Sequence, residues 1–419
     1  MGKLARKIAM IGAGMCKFGR NFPMKRNPDM WVDAWIDAVS KVDNGIEPKD
    51  VDACYVGNYS SDLFNHQGHL GPQMANLVGL TPKPAPRMEG ACASSGVALR
   101  QAILAIASGV HDVIAVCGVE CMNEVSTTLV TDTLATASDN QFEYPAGATF
   151  PGLYAAIASA HFHKYSTTHD DLKRVAIKNH ANGKENPFAQ MQQSMEEIMA
   201  SKIKRFESQG RDIPDWKDEF DFLNSRSNPM IASPLRLFDC SLVTDGAACV
   251  FLASEEVAKN FTDTPIWITG TGQGSAALSL HDRSEITTFL ATKEAARQAY
   301  EMSGLGPKDI QIAEVHDCFT IAEILAMEDL GFYEKGKAVE AIKNGESKRD
   351  GAKPINTSGG LKSKGHPVGA TGAAMAVEIF KQMRGIAERN RQVKMDVDKA
   401  LTHNLGGSGG TCVITIYQK

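Results

Sequence analysis

The sequence lacks any apolar run of the roughly 18 residues that a membrane-spanning helix needs. It also lacks a charge excess, since 44 basic and 49 acidic residues give a net charge of −5 over 419 residues. Nothing in this balance attracts nucleic acid or an anionic membrane. Cys16 and Lys17 interrupt the apolar start before any cleavage pattern, which favours a buried first strand ending at Gly12 over a signal peptide. The sequence therefore predicts a cytoplasmic protein with two large cores.

Paired cysteine motifs are absent as well. The nine cysteines are odd in number and scattered from Cys16 to Cys412. The closest pairs, Cys117/Cys121 and Cys240/Cys249, have neither a matching second pair nor clustered histidines, so no metal site is predicted. Reduced thiols in a cytoplasm are favoured over a disulfide framework.

Phosphate-binding loops are also missing. The first glycine turn has Gly12 and Gly14 but places Lys17 at the third glycine position of G-x-G-x-x-G. In GGLKSKGHP, His366 follows Gly365 where a P-loop requires Lys and then Ser or Thr. These departures argue against a nicotinamide site and against a P-loop.

Three pairs of segments repeat in the same order in two halves of the chain. They are a strand with a glycine turn at 7–15 and 265–273, G-x-x-P-K-D-[V/I] at 45–58 and 304–317, and G-x-x-C-V at 245–254 and 408–417. Together they predict a duplication whose halves, residues 1–262 and 263–419, meet near residue 262. Within each half, strand-like runs alternate with Ala-rich helical runs. This alternation predicts a layered α/β protein whose halves pack as pseudo-symmetric partners.

The first half carries an insertion. The repeats lie 259 residues apart at the P-K-D motif but 163 apart at Cys249 and Cys412, so about 96 extra residues lie between positions 58 and 245. The polar stretch of about 122–239 is the predicted insert, an added loop domain laid on the first half. Within it, we expect a helix in 192–210 and a surface loop at 211–222.

Cys92 is the candidate nucleophile. It stands among small residues at the start of an apolar helical run, in EGACASSGVALRQAILAIASG. The positive end of a helix dipole and free backbone N–H groups are expected to lower the pKa of a thiol there. A packed core thiol is the alternative.

Three further segments carry reactive groups. His366 lies in a glycine-rich loop just before an Ala-rich helix. In the duplicated chain, this junction of loop and helix corresponds to the one that carries Cys92. A histidine beside a cysteine can generate a thiolate. His316, Asp317 and Cys318 end a predicted strand, where open α/β sheets place ligand groups. A helix cap for Asp317 and core packing for Cys318 remain alternatives. The glycine turn at 406–410 can offer N–H groups to an oxyanion.

These segments together resemble the thiolase family over essentially the whole chain. Cys92, Ser94, Ser95 and Gly96 are similar to its Cys-x-Ser-Ser-Gly junction, and residues 365–372 to its Gly-His-Pro-x-Gly-x-(Ser/Thr)-Gly loop. The resemblance implies an α/β fold of five αβαβα layers, made of two duplicated halves with an inserted loop domain.

Two departures resemble the sterol-carrier and archaeal branch of that family. Many thiolases carry Asn-Glu-Ala-Phe where this chain has His-Asp-Cys-Phe at 316–319. Many also carry a second catalytic cysteine in Cys-x-Gly-Gly-Gly, where residues 404–408 here read Asn-Leu-Gly-Gly-Ser. In that branch the cysteine of His-Asp-Cys-Phe is thought to supply the missing acid and base, which implies this role for Cys318.

The resemblance further implies an acyl-enzyme on Cys92, deprotonated with help from His366. His316 and His366 would stabilise the thioester oxygen of a 3-oxoacyl-CoA, and the N–H groups of Cys92 and Gly406 would form a second oxyanion hole. Coenzyme A is a substrate in this scheme, and no tightly bound cofactor is expected. The implied substrate and CoA pocket contains Phe319, Gly274, Ser275 and Asn404.

The acyl group is open at this stage. Trp216, Phe220 and Phe222 in the insert favour a bulky or aromatic substrate such as benzoylsuccinyl-CoA, unless they only pack the insert; acetoacetyl-CoA is the alternative substrate. A decarboxylating ketosynthase and a non-catalytic scaffold subunit are the rival functions. The resemblance also implies a homodimer or a dimer of dimers, and a small zinc-ribbon and OB-fold partner subunit.

Overall fold

The computed structural model describes residues 2–20, 25–388 and 390–419. Within them, the strands are β1 (Ile8–Met15), β2 (Ala53–Gly57), β3 (Arg87–Met88), β4 (Val113–Glu120), β5 (Met230–Ala232), β6 (Leu235–Arg236), β7 (Gly246–Ser254), β8 (Ile266–Ser275), β9 (Ile312–Val315), β10 (Lys399–Gly406) and β11 (Thr411–Gln418). The helices are α1 (Asn27–Val39), α2 (Ser61–Asn65), α3 (Leu70–Leu77), α4 (Ser94–Ala107), α5 (Thr127–Ala135), α6 (Phe150–Tyr165), α7 (His169–Lys184), α8 (Met195–Ser208), α9 (Glu219–Asn224), α10 (Leu290–Ser303), α11 (Thr320–Asp329), α12 (Ala338–Lys343), α13 (Gly360–Ser363) and α14 (Thr371–Arg384). In this described part of the chain, no helix has both the length and the apolar content to cross a bilayer.

Nine strands form one mixed sheet in the order β3-β2-β4-β7-β1-β8-β11-β10-β9. Antiparallel pairing of β1 with β8, for example Ile8 opposite Ile268, joins the two halves. On either side of this joint the order is mirrored, so that β1, β7, β4 and β2 correspond to β8, β11, β10 and β9. The three repeated sequence segments fall on β1/β8, β2/β9 and β7/β11. The repeats in the sequence are thus repeats in the fold.

Helices cover the strands in the expected five layers. α1 packs on β1 and β7, and α10 packs on β8 and β11. Between the two sets of strands, α4 and α14 pack on each other and contact strands of both halves. Every residue of β1, β4 and β7 is buried, as their near-continuous apolar runs predict for strands covered on both faces. The predicted αβαβα fold is confirmed.

The segment between β4 and β7 holds α5–α9 and the hairpin β5–β6. The predicted helix in 192–210 is confirmed as α8, where Ser194 Oγ accepts from the Glu197 N–H and the Glu197 carboxylate accepts from the Ser194 N–H. This capping box stabilises the helix start. The predicted extent of the insert and the boundary near residue 262 stay predictions.

The predicted surface loop at 211–222 is wrong at its end. α9 begins at Glu219, and Phe222 is buried in a small core. The rings of Trp216 and Phe238 pack against it with centroids 5.1 and 5.7 Å away. The guanidinium of Arg174 lies 5.0 Å from the ring centroid of Phe220. Burial of aromatic surface orders this segment despite its polar composition.

Candidate active site

Cys92 lies on a tight turn that leads from β3 into α4. The turn spans Ala91–Ala93, and Ala91 has a φ of 51°, in the left-handed region that favours glycine. Ser94 Oγ donates a 2.6 Å hydrogen bond to the Ala91 carbonyl and accepts one of 3.1 Å from the Gly90 N–H. The Ser94 hydroxyl thereby holds a strained backbone that presents the thiol at the helix start.

His366 precedes the corresponding turn before α14. Its backbone N–H donates a 2.9 Å hydrogen bond to Thr244 Oγ1, and its Nδ1 lies 2.7 Å from Thr371 Oγ1. The Thr371 hydroxyl donates its own proton to the Pro367 carbonyl at 3.0 Å, so it can only accept from His366 Nδ1. This network assigns the proton to Nδ1 and leaves Nε2 free to accept one.

His316 follows β9 and is fully buried. The side-chain amide of Asn404 donates to the Cys92 carbonyl at 2.9 Å and lies 3.4 Å from His316 Nδ1. If Nδ1 accepts from this amide, Nε2 carries the proton. Nε2 is buried and has no hydrogen-bond partner among the described residues. A buried donor without an acceptor at this point fits an oxygen atom of a substrate.

The three side chains converge. Cys92 Sγ and a ring nitrogen each of His316 and His366 all lie within 4.8 Å of one another. The two imidazole rings meet edge to face, with centroids 5.0 Å apart. Because α4 and α14 are packed together, the two duplicated helix starts meet at one point, as the sequence predicts.

Cys318 lines the same cavity as Cys92 and His366, and it is 6% exposed. Its carbonyl accepts a 2.8 Å hydrogen bond from the N–H of Ser241, which follows the insert. The hydroxyl of Tyr154 on α6 donates to the Gly407 carbonyl at 3.0 Å and also lies within reach of the Cys318 sulfur, to which it can turn its single proton when that thiol ionises. The Tyr154 ring stacks on Phe319 with centroids 4.4 Å apart. Tyr154 therefore joins the insert, Cys318 and the glycine turn.

A cavity of about 180 Å³ opens onto these groups. Cys92, Cys318 and His366 line it together with Gly407 and apolar side chains of the insert, including Leu134 and Phe150. Such a volume is below that of most drug-sized ligand pockets. The site is suited to a short acyl group attached to a longer chain that enters from outside.

Burial sets the protonation states. It raises the pKa of Cys92 to about 12, although the N–H groups of Gly407 and of Cys92 itself act in the opposite direction. It lowers the pKa of His366 to about 3, an effect that the nearby Lys364 cation increases. Burial also lowers the pKa of His316 well below its usual range. The N–H groups at the helix start thus act to lower the thiol pKa, as expected, but enclosure outweighs them and favours a thiol beside a neutral imidazole.

The glycine turn contributes through a residue that the sequence analysis did not select. Gly407 lines the cavity and points its N–H at the Cys92 sulfur. Gly406 packs so closely on the Gly90 carbonyl that an added Cβ would lie 2.2 Å from its oxygen. Gly407 is thus the better-placed partner of the Cys92 N–H in an oxyanion hole, and the role of Gly406 stays a prediction.

The predicted pocket residues divide into two groups. Phe319 lines the cavity and Asn404 bridges Cys92 and His316. Gly274 instead packs against the Ala291 carbonyl of α10, and Ser275 is exposed at the end of β8. Neither lines the cavity at Cys92.

The aromatic residues Trp216, Phe220 and Phe222 do not line this cavity either. They pack within the insert, against Phe238 and Arg174 as described above. The expectation that they shape the acyl pocket is wrong: Trp216 and Phe222 pack in a small core of the insert, and Phe220 lines a separate cavity next to α7.

Two groups in the described chain have donor atoms close enough together for a metal ion. One is Cys92, His316 and His366, whose atoms have the roles given above. The other is Asp139, Glu143 and His281 at the surface. There the Asp139 carboxylate already accepts hydrogen bonds from three backbone N–H groups. The atoms of both groups therefore have roles that do not require a metal ion.

The fold and site define a class of enzyme in which two duplicated α/β halves hold a nucleophilic cysteine beside two histidines. Comparison with known families agrees: the N-terminal thiolase domain matches residues 8–256, and the thiolase C-terminal domain-like family matches residues 272–419. The chain belongs to the thiolase family and is an acyltransferase.

Individual relatives support this assignment. The chain is 43% identical over 416 residues to acetyl-CoA acetyltransferase of Methanothermobacter thermautotrophicus, covering 99% of this chain and 100% of that protein. It is 32% identical to the benzoylsuccinyl-CoA thiolase subunit BbsB of Thauera aromatica, covering 97% and 96%. Among solved structures, the Ltp2-ChsH2(DUF35) aldolase superposes with a TM-score of 0.78 at 26% identity, covering 98% of each chain.

Proposed function

We propose that this enzyme is an acetyl-CoA acetyltransferase, which cleaves acetoacetyl-CoA with CoA into two molecules of acetyl-CoA and catalyses the reverse condensation. The convergence of Cys92, His316 and His366, two of which (Cys92 and His366) line a cavity of about 180 Å³, carries this proposal. An acetyl group fits such a volume. The relative at 43% identity bears this activity in its name.

A bulky aromatic substrate has less support. The aromatic residues that favoured it lie outside the cavity, and the relative named for benzoylsuccinyl-CoA is less similar, at 32% identity. The membership of the branch with His-Asp-Cys-Phe stays part of the proposal.

In the first half-reaction, Cys92 Sγ attacks the 3-keto carbon of acetoacetyl-CoA while His366 Nε2 accepts the thiol proton. The bond between C2 and C3 breaks, and its electron pair forms the enolate of acetyl-CoA. The Nε2–H of His316 and the newly protonated His366 stabilise the enolate oxygen. The Cys318 thiol protonates C2, acetyl-CoA leaves, and Cys92 holds the acetyl group.

In the second half-reaction, the Cys318 thiolate takes the proton of the CoA thiol. The CoA sulfur attacks the acetyl-enzyme, and the N–H groups of Cys92 and Gly407 stabilise the tetrahedral oxyanion. Cys92 leaves, regains its proton from His366, and the second acetyl-CoA departs. This concerted use of His366 needs no thiolate in the resting enzyme, in agreement with the raised pKa of Cys92.

A thiolysis screen over 3-oxoacyl-CoAs of increasing size, with benzoylsuccinyl-CoA included, tests the substrate. We expect the highest kcat/KM with acetoacetyl-CoA. Higher kcat/KM with an aromatic substrate would replace the proposed one. Condensation of acetyl-CoA without a malonyl donor distinguishes this enzyme from a decarboxylating ketosynthase.

Mass spectrometry of the acyl-enzyme tests the residues. Cys92→Ala is expected to form no acetyl adduct, whereas Cys318→Ala is expected to acetylate and turn over slowly. Cys240→Ala is the matched control, because Cys240 lines the same cavity but has no step in the mechanism. An adduct that persists in Cys92→Ala would exclude the assigned nucleophile. A wild-type chain with no adduct would favour the scaffold function.

The assembly belongs to the same proposal. We expect a homodimer or a dimer of dimers, together with a small zinc-ribbon and OB-fold partner; the name of the Ltp2-ChsH2(DUF35) structure shows that a protein of similar fold is found with a second subunit. Light scattering of the purified chain and co-purification from its native host test both points.

A further inference from the structure

A second cavity of about 580 Å³ lies between α7, α9, α12 and the loops at 348–350 and 390–394. It is about three times larger than the cavity at Cys92 and shares no lining residue with it. Its volume falls in the range of small-molecule sites. No step of the proposed reaction uses it.

The charge of this cavity is strongly positive. Two acidic residues, Glu219 and Asp350, line it. They face six basic ones: Arg174, Lys178, Lys343, Lys348, Arg349 and Lys394. The whole chain has a net charge of −5, so this concentration of cations is local. A concave surface of one sign attracts small ions of the opposite sign.

Four of these six cations, Arg174, Lys348, Arg349 and Lys394, have no ion pair among the described residues. Lys178 pairs with Glu323 at 2.9 Å and Lys343 with Asp171 at 3.0 Å. Over the described residues, no ion pair involves the three that line the two loops, Lys348, Arg349 and Lys394. These three charges are available to a ligand.

Two guanidinium groups also have buried N–H donors without acceptors. Arg174 Nε and Arg349 Nη1 are inaccessible to solvent and have no hydrogen-bond partner among the described residues. A buried donor without an acceptor is unfavourable, and an anion toward which either guanidinium turns would satisfy it. Planar guanidinium groups match the oxygens of phosphate in pairs.

We propose that this cavity is a binding site for a small phosphate-bearing molecule, held by Arg174, Arg349, Lys348 and Lys394. Lys178 and Lys343 are neutralised by Glu323 and Asp171, so the unpaired cations of the lining exceed its carboxylates by two, a charge that suits a phosphate or diphosphate group. The concave shape and a volume of about 580 Å³ favour a compact ligand over an extended acidic peptide. The site is separate from the acyl pocket, and the proposal does not rest on the proposed function.

Isothermal titration calorimetry of the full chain with inorganic pyrophosphate and with ADP, at ionic strength held constant with KCl, tests this site. We expect saturable binding of one ligand per chain. The double variant Lys348→Gln/Arg349→Gln is expected to weaken binding at least tenfold. The control Arg226→Gln/Lys308→Gln removes the same charges from exposed positions outside the cavity and is expected to bind as the wild type does.

Three results would overturn the proposal: no saturable binding, equal loss in both double variants, or complete displacement of pyrophosphate by saturating CoA. The last would place the ligand in the CoA site. A glutamate-rich decapeptide that binds more tightly than pyrophosphate would replace the small molecule by an acidic protein segment. Circular dichroism and thiolysis rates, expected to be unchanged in Lys348→Gln/Arg349→Gln, show that this variant is folded and that the catalytic site is intact.

Discussion

Gly372 of α14 lies directly against Gly96 of α4: a Cβ atom added to Gly372 would lie 2.5 Å from the Gly96 nitrogen and 2.3 Å from Asn404 Oδ1. The two helices come from different halves, and their starts carry the turns of His366 and Cys92. The two glycines let the helix backbones meet without intervening side chains. Their contact therefore sets the separation of the nucleophile and its base.

Gly372→Ala is expected to lower kcat at least tenfold and to destabilise the protein by roughly 1–3 kcal/mol, since the added methyl must push α14 away from α4. Steady-state kinetics and chemical denaturation measure the two effects. Gly152→Ala is the matched control, because Gly152 is also helical and a Cβ there has open space. A Gly372→Ala enzyme with wild-type kcat would show that the spacing of the helices is not limiting.

Tyr154→Phe removes a hydroxyl that contacts Cys318. Burial raises the pKa of the Cys318 thiol, and the Tyr154 hydrogen bond acts against this rise. We expect the variant to shift the rising limb of the kcat–pH profile to higher pH, while acetylation of Cys92 in a single turnover keeps its rate. Tyr300→Phe is the control, since it deletes a similar 2.9 Å bond from a hydroxyl to the Leu330 carbonyl outside the site. If the kcat–pH profile of Tyr154→Phe is not shifted, the role of Tyr154 is purely structural.

Asn404→Ala deletes the amide that ties the Cys92 carbonyl to His316. A buried hydrogen bond left unmade costs about 1–3 kcal/mol, which corresponds to a loss of roughly 5- to 150-fold if it falls on the barrier. We expect slower acetylation of Cys92, measured by quenched flow, with a smaller change in KM. Asn65→Ala removes an equivalent 3.0 Å bond to the Cys121 carbonyl and is expected to acetylate at the normal rate. Equal slowing in both would point to general destabilisation.

His180 predicts a pH dependence of stability away from the active site. Its burial, together with the Lys362 cation, lowers its pKa from 6.5 to about 3. Between these values the unfolded chain binds a proton that the folded chain does not, so the free energy of unfolding falls as the pH drops from about 6.5 towards 3. His180→Gln is expected to make this fall shallower, by up to about 1.4 kcal/mol per pH unit. Urea denaturation between pH 4 and 7 measures it.

The control for this effect is His163→Gln, which changes an exposed histidine on α6. It is expected to follow the wild-type pH dependence. If His180→Gln follows the same curve, the acid sensitivity of the protein comes from its other buried histidines.

Local patterns in the sequence were sufficient to predict the strands, the duplication, and the convergence of Cys92 and His366. Apolar runs indicate buried segments directly. Glycine-rich loops at equivalent helix starts indicate that the same junction of loop and helix occurs in both halves. Tyr154 could not be found in this way, because FPGLYAAIASA reads as an ordinary helix. Only its distance from Cys318 in space gives it a role.

The raised pKa of the Cys92 thiol could not be predicted from the sequence for a related reason. The helix start beside Cys92 is visible in the sequence and predicts a lower value. The enclosure that raises the pKa involves side chains of the insert, which line the cavity at Cys92 but are remote along the chain. The packing of Trp216 and Phe222 within the insert likewise depends on tertiary contacts, which composition cannot predict.

β11 is the last strand along the chain, yet it lies inside the sheet and pairs along its whole length with both β8 and β10. On the ribosome, both neighbours are made first and keep open hydrogen-bonding edges until residues 411–418 emerge. Translation that stops before this point yields a chain with the nucleophile and both histidines but with one open edge on each of β8 and β10, and open strand edges favour aggregation. The sheet therefore closes only after residues 411–418 have been made.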